Sequence, residues 1–236
     1  MRLDKLLSNL KYGSRKDIKM LCKKGFVQLN GKIVKDAGID VTLNDEILLD
    51  EKKVYFYENL YLVMNKPQGY VSSNIDEGKY PSLLRLIKEP YNRYDLNICG
   101  RLDVDTEGLV LLTTDGNLLH QVITPKKDIY KKYYVKLKNI LKNYEILENG
   151  VEILDGMNNP YTTKQAFIEK IDDYSCYIMI SEGKFHQVKR MFLAIDNEVV
   201  YLKRVAIGNL ELPSNLELGT YQLLTLEEVQ NKLFSK

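Results

Sequence analysis

The sequence predicts an α+β chain in two parts: a small basic helix-helix-hairpin domain, then a domain built on a mixed, mainly antiparallel sheet with flanking helices. Three observations carry this. Apolar residues recur at helical spacing near the amino terminus and at strand spacing further on, without the regular strand-helix alternation of a parallel sheet. Charge is divided along the chain. Up to residue 35 there are Arg2, Lys5, Lys11, Arg15, Lys16, Lys19, Lys23, Lys24, Lys32 and Lys35 against Asp4 and Asp17. Asp36, Asp40, Asp45, Glu46, Asp50 and Glu51 then reverse the sign, although the whole chain nets only +2. Finally, 236 residues exceed one ordinary domain of roughly 100–200. The expected division is 1–57 and 58–236.

Taken in order, Leu3, Leu6, Leu7 and Leu10 define an amphipathic helix ended by Gly13. Ser14 is a cap for a second helix through Ile18, Leu21 and Cys22, which Gly25 stops. Phe26 to Leu29 reads as a strand, Asn30-Gly31 as a two-residue hairpin turn, and Lys32 to Val34 as the return. Ile47 to Leu49 supplies a further strand, and Lys52-Lys53 begins a short linker or strand. Tyr61 to Met64 is a buried strand, and Asn65 to Gly69 must turn. A brief helix is expected from Ser82 to Ile87. Asp115-Gly116 leads into a helix through Leu118, Leu119 and Val122 that Pro125 closes. On the strand Lys131 to Leu137, residues Lys131, Tyr133, Val135 and Leu137 share one face. Tyr144 to Val151 fits a helix, and 166–168 and 176–180 fit strands. Val188, Met191, Phe192 and Ile195 form the apolar stripe of another helix, with His186, Lys189 and Arg190 clustered on the adjoining face. Val199 to Leu202 and Val205 to Ile207 look like a hairpin pair, 216–224 like extended chain, and Leu226 to Leu233 like a closing helix.

Several function classes fall away. Apolar content of 44% and charged content of 28% are those of a globular protein. No apolar run approaches the ~20 residues of a membrane helix, and no secretory signal follows Met1. Cys22, Cys99 and Cys176 are odd in number and far apart, so neither a disulfide framework nor a zinc site is expected, and a reducing cytoplasm fits. A basic, structured first domain points to a polyanionic partner.

The stretch Gly100-Arg101-Leu102-Asp103-Val104-Asp105-Thr106-Glu107-Gly108, followed by the apolar run Leu109 to Thr113, has the layout of a loop held by a buried strand. An arginine close to a carboxylate keeps it ionised, and an ionised, positioned carboxylate is a usable nucleophile or base. An ion-paired solvated loop is the equal alternative. Spacing does not choose between Asp103 and Asp105, since residues two apart in an extended segment point the same way.

Five patterns occur in one order. They are Asn65-Lys66-Pro67-x-Gly69-Tyr70-Val71-Ser72-Ser73, the Gly100 to Leu109 stretch, Lys131-x-Tyr133, Glu182-Gly183-Lys184-x-His186-Gln187-Val188-Lys189-Arg190-Met191-Phe192, and Leu202-x-Arg204-x-x-Ile207-Gly208. Together they resemble the RNA pseudouridine synthases, on the branch that modifies small-subunit ribosomal RNA. The first 50 residues or so resemble the small RNA-binding domain named after the fourth protein of the small ribosomal subunit. The resemblance implies isomerisation of a uridine within ribosomal RNA, without cofactor or metal, by a protein that has no membrane partner and that nothing suggests is more than a monomer. It selects Asp103 as nucleophile, Tyr133 as the ring that stacks on an extruded uracil, and Lys189 as the cation beside Asp103, with Arg190 next in line. It also implies that Arg101 and Thr106 shape the loop and touch RNA, that Lys131, Lys66 and Arg190 serve the substrate, and that Arg15, Lys16 and Lys19 press on phosphates. Asp105 and Glu107 are left as structural groups, and His186 as a hydrogen-bonded structural residue. The competing readings are a synthase for large-subunit RNA, a non-catalytic ribosome-assembly factor, and a glycoside or nucleoside hydrolase, which needs two carboxylates across the bond.

Overall fold

The computed structural model describes residues 1–124 and 129–234. Its backbone divides into two compact units, Met1–Leu60 with Ile87–Leu96, and Tyr61–Leu86 with the chain from Asn97 onward. The insert Ile87–Leu96 thus groups with the amino-terminal unit, although it lies within the range expected for the second domain.

In the first unit, α1 (Leu3–Asn9) buries Leu3, Leu6 and Leu7. It ends a turn before Gly13, with Lys11 already in the left-handed region (φ 59°). Helix α2 (Arg15–Lys24) starts on a capping box, in which the Ser14 hydroxyl accepts from the Asp17 amide and the Asp17 carboxylate accepts from the Ser14 amide. It stops at Gly25, whose φ of 88° suits a residue without a β-carbon. Strands β1 (Val27–Leu29) and β2 (Lys32–Ile33) form the expected hairpin, with Asn30 and Gly31 both at positive φ. β3 (Ile47–Leu49) and β4 (Lys52–Val54) complete a four-stranded antiparallel sheet. Asp4 is fully buried, and Arg2 and Arg15 both bond its carboxylate, at 3.0 Å in each case.

The second unit is built on β5 (Tyr61–Lys66), β6 (Asn97–Cys99), β7 (Glu107–Thr113), α3 (Gly116–Ile123), β8 (Lys131–Leu137), α4 (Glu145–Glu148), β9 (Glu152–Leu154), β10 (Pro160–Thr162), β11 (Phe167–Lys170), β12 (Ser175–Ile180), α5 (Gln187–Leu193), β13 (Val199–Ile207), β14 (Leu210–Glu211), β15 (Tyr221–Leu223) and α6 (Leu226–Phe234). The main sheet runs β11-β12-β8-β13-β7-β5-β15, antiparallel throughout except where β13 meets β7. The mixed, mainly antiparallel sheet is therefore as expected. Every residue of β5 is buried, as are the last six of β7, and α3 and α6 pack their apolar stripes on this half of the sheet.

Some elements differ from the sequence expectation. The helices expected at 82–87 and 144–151 shrink to a 3-10 turn at Leu83–Leu86 and the single turn of α4. The segment 199–207 is one strand rather than a hairpin pair, because Arg204 is drawn into the core (2% exposed) and the chain continues past it through a bulge. The hairpin follows it, pairing Ile207 with Leu210. Asp115-Gly116 leads into α3 as expected, with the Asp115 carboxylate capping the helix, while Pro125 lies outside the described residues.

The parallel crossing of β13 and β7 is tight. Gly108 has φ 105°, and a β-carbon there would fall 2.2 Å from the carbonyl oxygen of Arg204. Gly108→Ala should therefore destabilise the protein by about 3 kcal/mol or more, combining overpacking with an unfavourable φ. Urea unfolding followed by circular dichroism checks this.

Candidate active site

The loop Gly100–Thr106 leaves β6 and enters β7, and three buried side chains hold its main chain. Lys66, the last residue of β5, has no exposed surface and donates to the carbonyls of Asp103 (2.9 Å), Thr106 (2.9 Å) and Pro67 (3.2 Å). The Ser72 hydroxyl accepts from the Leu102 amide (3.0 Å) and donates to the Leu102 carbonyl (2.9 Å). Arg204 donates to the carbonyls of Leu109 (2.8 Å) and Gly100 (3.0 Å), bridging the gap where β13 stops pairing with β7 and β6 begins. An amide–carbonyl bond from Thr106 to Asp103 (3.1 Å) closes the turn.

With the backbone so held, the Asp103 side chain, 25% exposed, projects into a cavity of about 920 Å³. Asp103, Lys131, Tyr133, Tyr161, Phe185 and His186 are among the residues that line it. The volume lies in the range of pockets that enclose small molecules. Lys189 donates to Asp103 Oδ2 at 3.0 Å and to Asp105 Oδ1 at 2.6 Å. Desolvation works against the Lys189 charge, but its bonds to Asp105 and Asp103 outweigh that and raise its pKa above the ordinary lysine value. Burial likewise opposes the charge of Asp105, and Lys189 still holds its carboxyl below the usual range. Residues 103–106 form a turn rather than extended chain, so the two acids part: Asp103 lines the cavity, while the Asp105 side chain is 68% exposed. Glu107 faces elsewhere and accepts from the Tyr201 hydroxyl at 2.6 Å.

Tyr133 stands on β8 between Ile178 and Arg204 of the neighbouring strands, 7% exposed. Lys131, one pleat away on the same face, reaches the Ser181 carbonyl at 3.3 Å. The turn before α5 is fastened by Glu182, which is buried and accepts from Tyr161 Oη, the Lys164 amide (2.9 Å) and Gln187 Nε2 (2.6 Å). The bond to Glu182, with burial, pushes the Tyr161 phenol up to about 12. Tyr161 carried no signal in the sequence, and Glu182 stood there only as the first residue of the Glu182-Gly183-Lys184 pattern, with no role assigned to it.

The structure thus brings together Asp103, Tyr133, Lys189 and Lys131, from a loop, a helix and a strand far apart in the chain. Arg101 is 72% exposed at the cavity wall, 3.6 Å from Glu77. Four expectations are corrected. Lys66 does not face a substrate, because it is enclosed beneath the loop. Thr106 shapes the turn but is 1% exposed, so its hydroxyl cannot touch RNA. Arg190 turns away from Asp103 and donates to the carbonyls of Leu154 and Asp155, tying α5 to the end of β9. His186 belongs to the cavity wall, with Nε2 3.7 Å from Asp103 Oδ1. On α2, Lys16 and Lys19 are exposed, and Arg15 is half exposed while bonding Asp4.

Comparison with known proteins matches residues 60–194 to the RNA pseudouridylate synthase family and residues 1–47 to the S4 domain. An RNA pseudouridine synthase of Bacillus subtilis is 43% identical, with 97% of each chain covered. Ribosomal small subunit pseudouridine synthase A of Haemophilus influenzae is 40% identical over 98% of each chain. Its namesake in Escherichia coli is 36% identical over 97% of this chain and 98% of that one. A crystal structure of a pseudouridylate synthase superposes with a TM-score of 0.67 at 38% identity, covering 99% of this chain and 100% of the other.

Burial lowers the Lys66 pKa from 10.5 to about 8, despite the attraction of Asp103 and Asp105. Between those two values the unfolded chain holds this proton and the folded chain releases it, so the contribution of Lys66 to stability rises with pH across the window. In Lys66→Met that rise should be absent. The difference in unfolding free energy between the two proteins, measured in urea at about pH 7.5 and about pH 10, checks it.

Proposed function

The chain belongs to the RNA pseudouridylate synthase family, and from that premise we propose that it converts a uridine of small-subunit ribosomal RNA to pseudouridine, with Asp103 as the reacting carboxylate. The curated relatives that carry the small-subunit name cover nearly the full length of this chain, which supports the choice of RNA. The observation that carries the chemistry is the Asp103 carboxylate in the cavity wall, paired at 3.0 Å with Lys189 and sharing the cavity with Tyr133.

In this reading the target uridine swings out of its stack into the cavity, at a cost of a few kcal/mol for unstacking. Lys189, 3.0 Å from Asp103 Oδ2, matches the charge of that carboxylate in a partly dry site, where it serves as nucleophile or base. The glycosidic carbon–nitrogen bond breaks, the detached uracil turns while still enclosed, and a carbon–carbon bond forms to the same sugar carbon. The hydrogen on the attacking ring carbon leaves and the former glycosidic nitrogen gains one, so composition is unchanged. Tyr133 offers a ring face to the loose base, and its hydroxyl can relay the departing proton. The exposed Lys16 and Lys19, with Arg15, contribute phosphate contacts that set affinity rather than sequence choice. Three buried, unpaired cysteines support a reducing cytoplasm as the site of action.

Asp103→Asn should lower the rate by about a thousandfold or more while RNA binding and fold are retained, whereas Asp105→Asn should cost about tenfold or less. Carbodiimide mapping of ribosomal RNA from cells with and without the protein, complemented by each variant, reads this directly. An unchanged map would refute the reading, and free uracil among the products would favour a hydrolase. Replacing Lys16 and Lys19 together by Gln should flatten the logarithmic salt dependence of RNA binding by about 1.4–1.8, as expected for two lost phosphate contacts. Filter binding at several salt concentrations measures it.

A further inference from the structure

The hydroxyl of Tyr161, on β10, has its proton fixed in direction. Glu182 Oε2 accepts it at 2.5 Å, and a phenol has a single proton to give. The carboxylate has none to return. Its Oε1 accepts from the Lys164 amide (2.9 Å) and from Gln187 Nε2 (2.6 Å), so each group bonded to it is a donor. The Gln187 amide is itself oriented, because its carbonyl oxygen accepts from the Lys184 amide at 2.8 Å. The Glu182 bond and burial together keep the phenol protonated well above neutral pH. Tyr161 Oη is therefore left with acceptor capacity alone, in the wall of the cavity that Asp103 and Tyr133 also line. Ammonium donors stand in the same wall. Lys184 Nζ lies 4.2 Å from the Tyr161 ring centroid, and Lys131 Nζ reaches the carbonyl of Ser181, which precedes Glu182 in the chain.

We infer that Tyr161 is a further substrate contact, the acceptor that takes the imide N–H of the uracil; the inference rests on the proposed conversion of uridine. The polar edge of uracil reads acceptor, donor, acceptor through O2, N3–H and O4. A phenol oxygen that only accepts, in a wall that carries ammonium groups, complements that order. Cytosine has no proton on N3, so its edge would set acceptor against acceptor, and the site rejects it. N3 also has a place in the rearrangement. Bringing C5 to the position of N1 is a half-turn of the ring about the line through N3 and C6. That turn exchanges O2 with O4 and leaves N3 where it was. A bond from N3–H to Tyr161 therefore lasts through the turn and keeps the detached base in the cavity. Tyr133 supports the ring by its face and Tyr161 by its edge.

A short RNA carrying the mapped uridine, and the same RNA with N3-methyluridine in its place, separate this contact from general RNA binding. In the wild type the methyl group should lower the single-turnover rate about tenfold or more. Tyr161→Phe should convert the uridine RNA about fivefold or more slowly, with its Kd changed less than about twofold, and the methyl group should then cost less than about threefold. Each methyl effect is a ratio within one protein, so a less stable variant does not distort it. An equal methyl effect in the two proteins would overturn the inference, as would a wild-type rate indifferent to methylation. NMR titration with uridine monophosphate and its N3-methyl derivative reads the same contact without the reaction. The wild type should prefer the unmethylated nucleotide about fivefold or more, and Tyr161→Phe less than about twofold. The same preference in both proteins, or none in the wild type, would also sink it. A preference that depends on Tyr161 in a protein without synthase activity would fault the proposed reaction instead.

Discussion

A buried ammonium with no water around it must be given oxygen, and the loop Gly100–Thr106 is what Lys66 is given. Moving an ion out of water costs several kcal/mol unless polar groups replace its hydration. Here the carbonyls of Asp103 and Thr106 do so. The loop cannot change its backbone without stranding that charge. Arg204 repeats the device at the other end of the loop through Gly100 and Leu109, and Ser72 fixes Leu102 between them. All three act on main-chain groups. The side chain of Asp103 projects into the cavity while the main chain from which it springs is held by these bonds.

That framework explains why three neighbouring carboxylates come to different ends. Glu107 begins β7, so the sheet carries it to the Tyr201 hydroxyl on β13. Asp105 comes at the crest of the turn, where water reaches it. Asp103 is the one aimed into the cavity. One ammonium, Lys189, answers the last two, and its position follows from α5: Val188, Met191 and Phe192 bury one side of that helix and leave Lys189 on the other. In the proposed function, phosphate contacts on α2 and chemistry in the cavity would rest on different physics: the first long-ranged and indifferent to sequence, the second acting at contact distance.

Much of this was legible in the residues alone. Capping by Ser14, the Asn30-Gly31 turn, the buried strand at Tyr61 and the stripe on α5 depend on neighbours close in sequence, and they formed where the pattern put them. The run of Leu109 to Thr113 behind a charged turn marked the site, and the family resemblance singled out Asp103, Tyr133 and Lys189, which the structure brings around one cavity. Spacing alone left Asp103 and Asp105 equivalent.

What the sequence by itself determined, then, was most of the elements, the division of charge along the chain, and the candidates Asp103, Tyr133 and Lys189. The tertiary structure decided which charges are buried. Nothing local distinguishes Lys66 and Arg204, which become internal clamps, from Lys16 and Lys19, which stay in water, or Arg190, which turns to a carbonyl pair, from Lys189, which turns to the acids. Nor does it show that 199–207 continues as one bulged strand past its two basic residues, or that His186, just ahead of α5, comes within 3.7 Å of Asp103. The reason is physical: the free energy of a charge depends on the oxygens and the water around it, and those arrive from strands that are distant in sequence until the sheet is assembled.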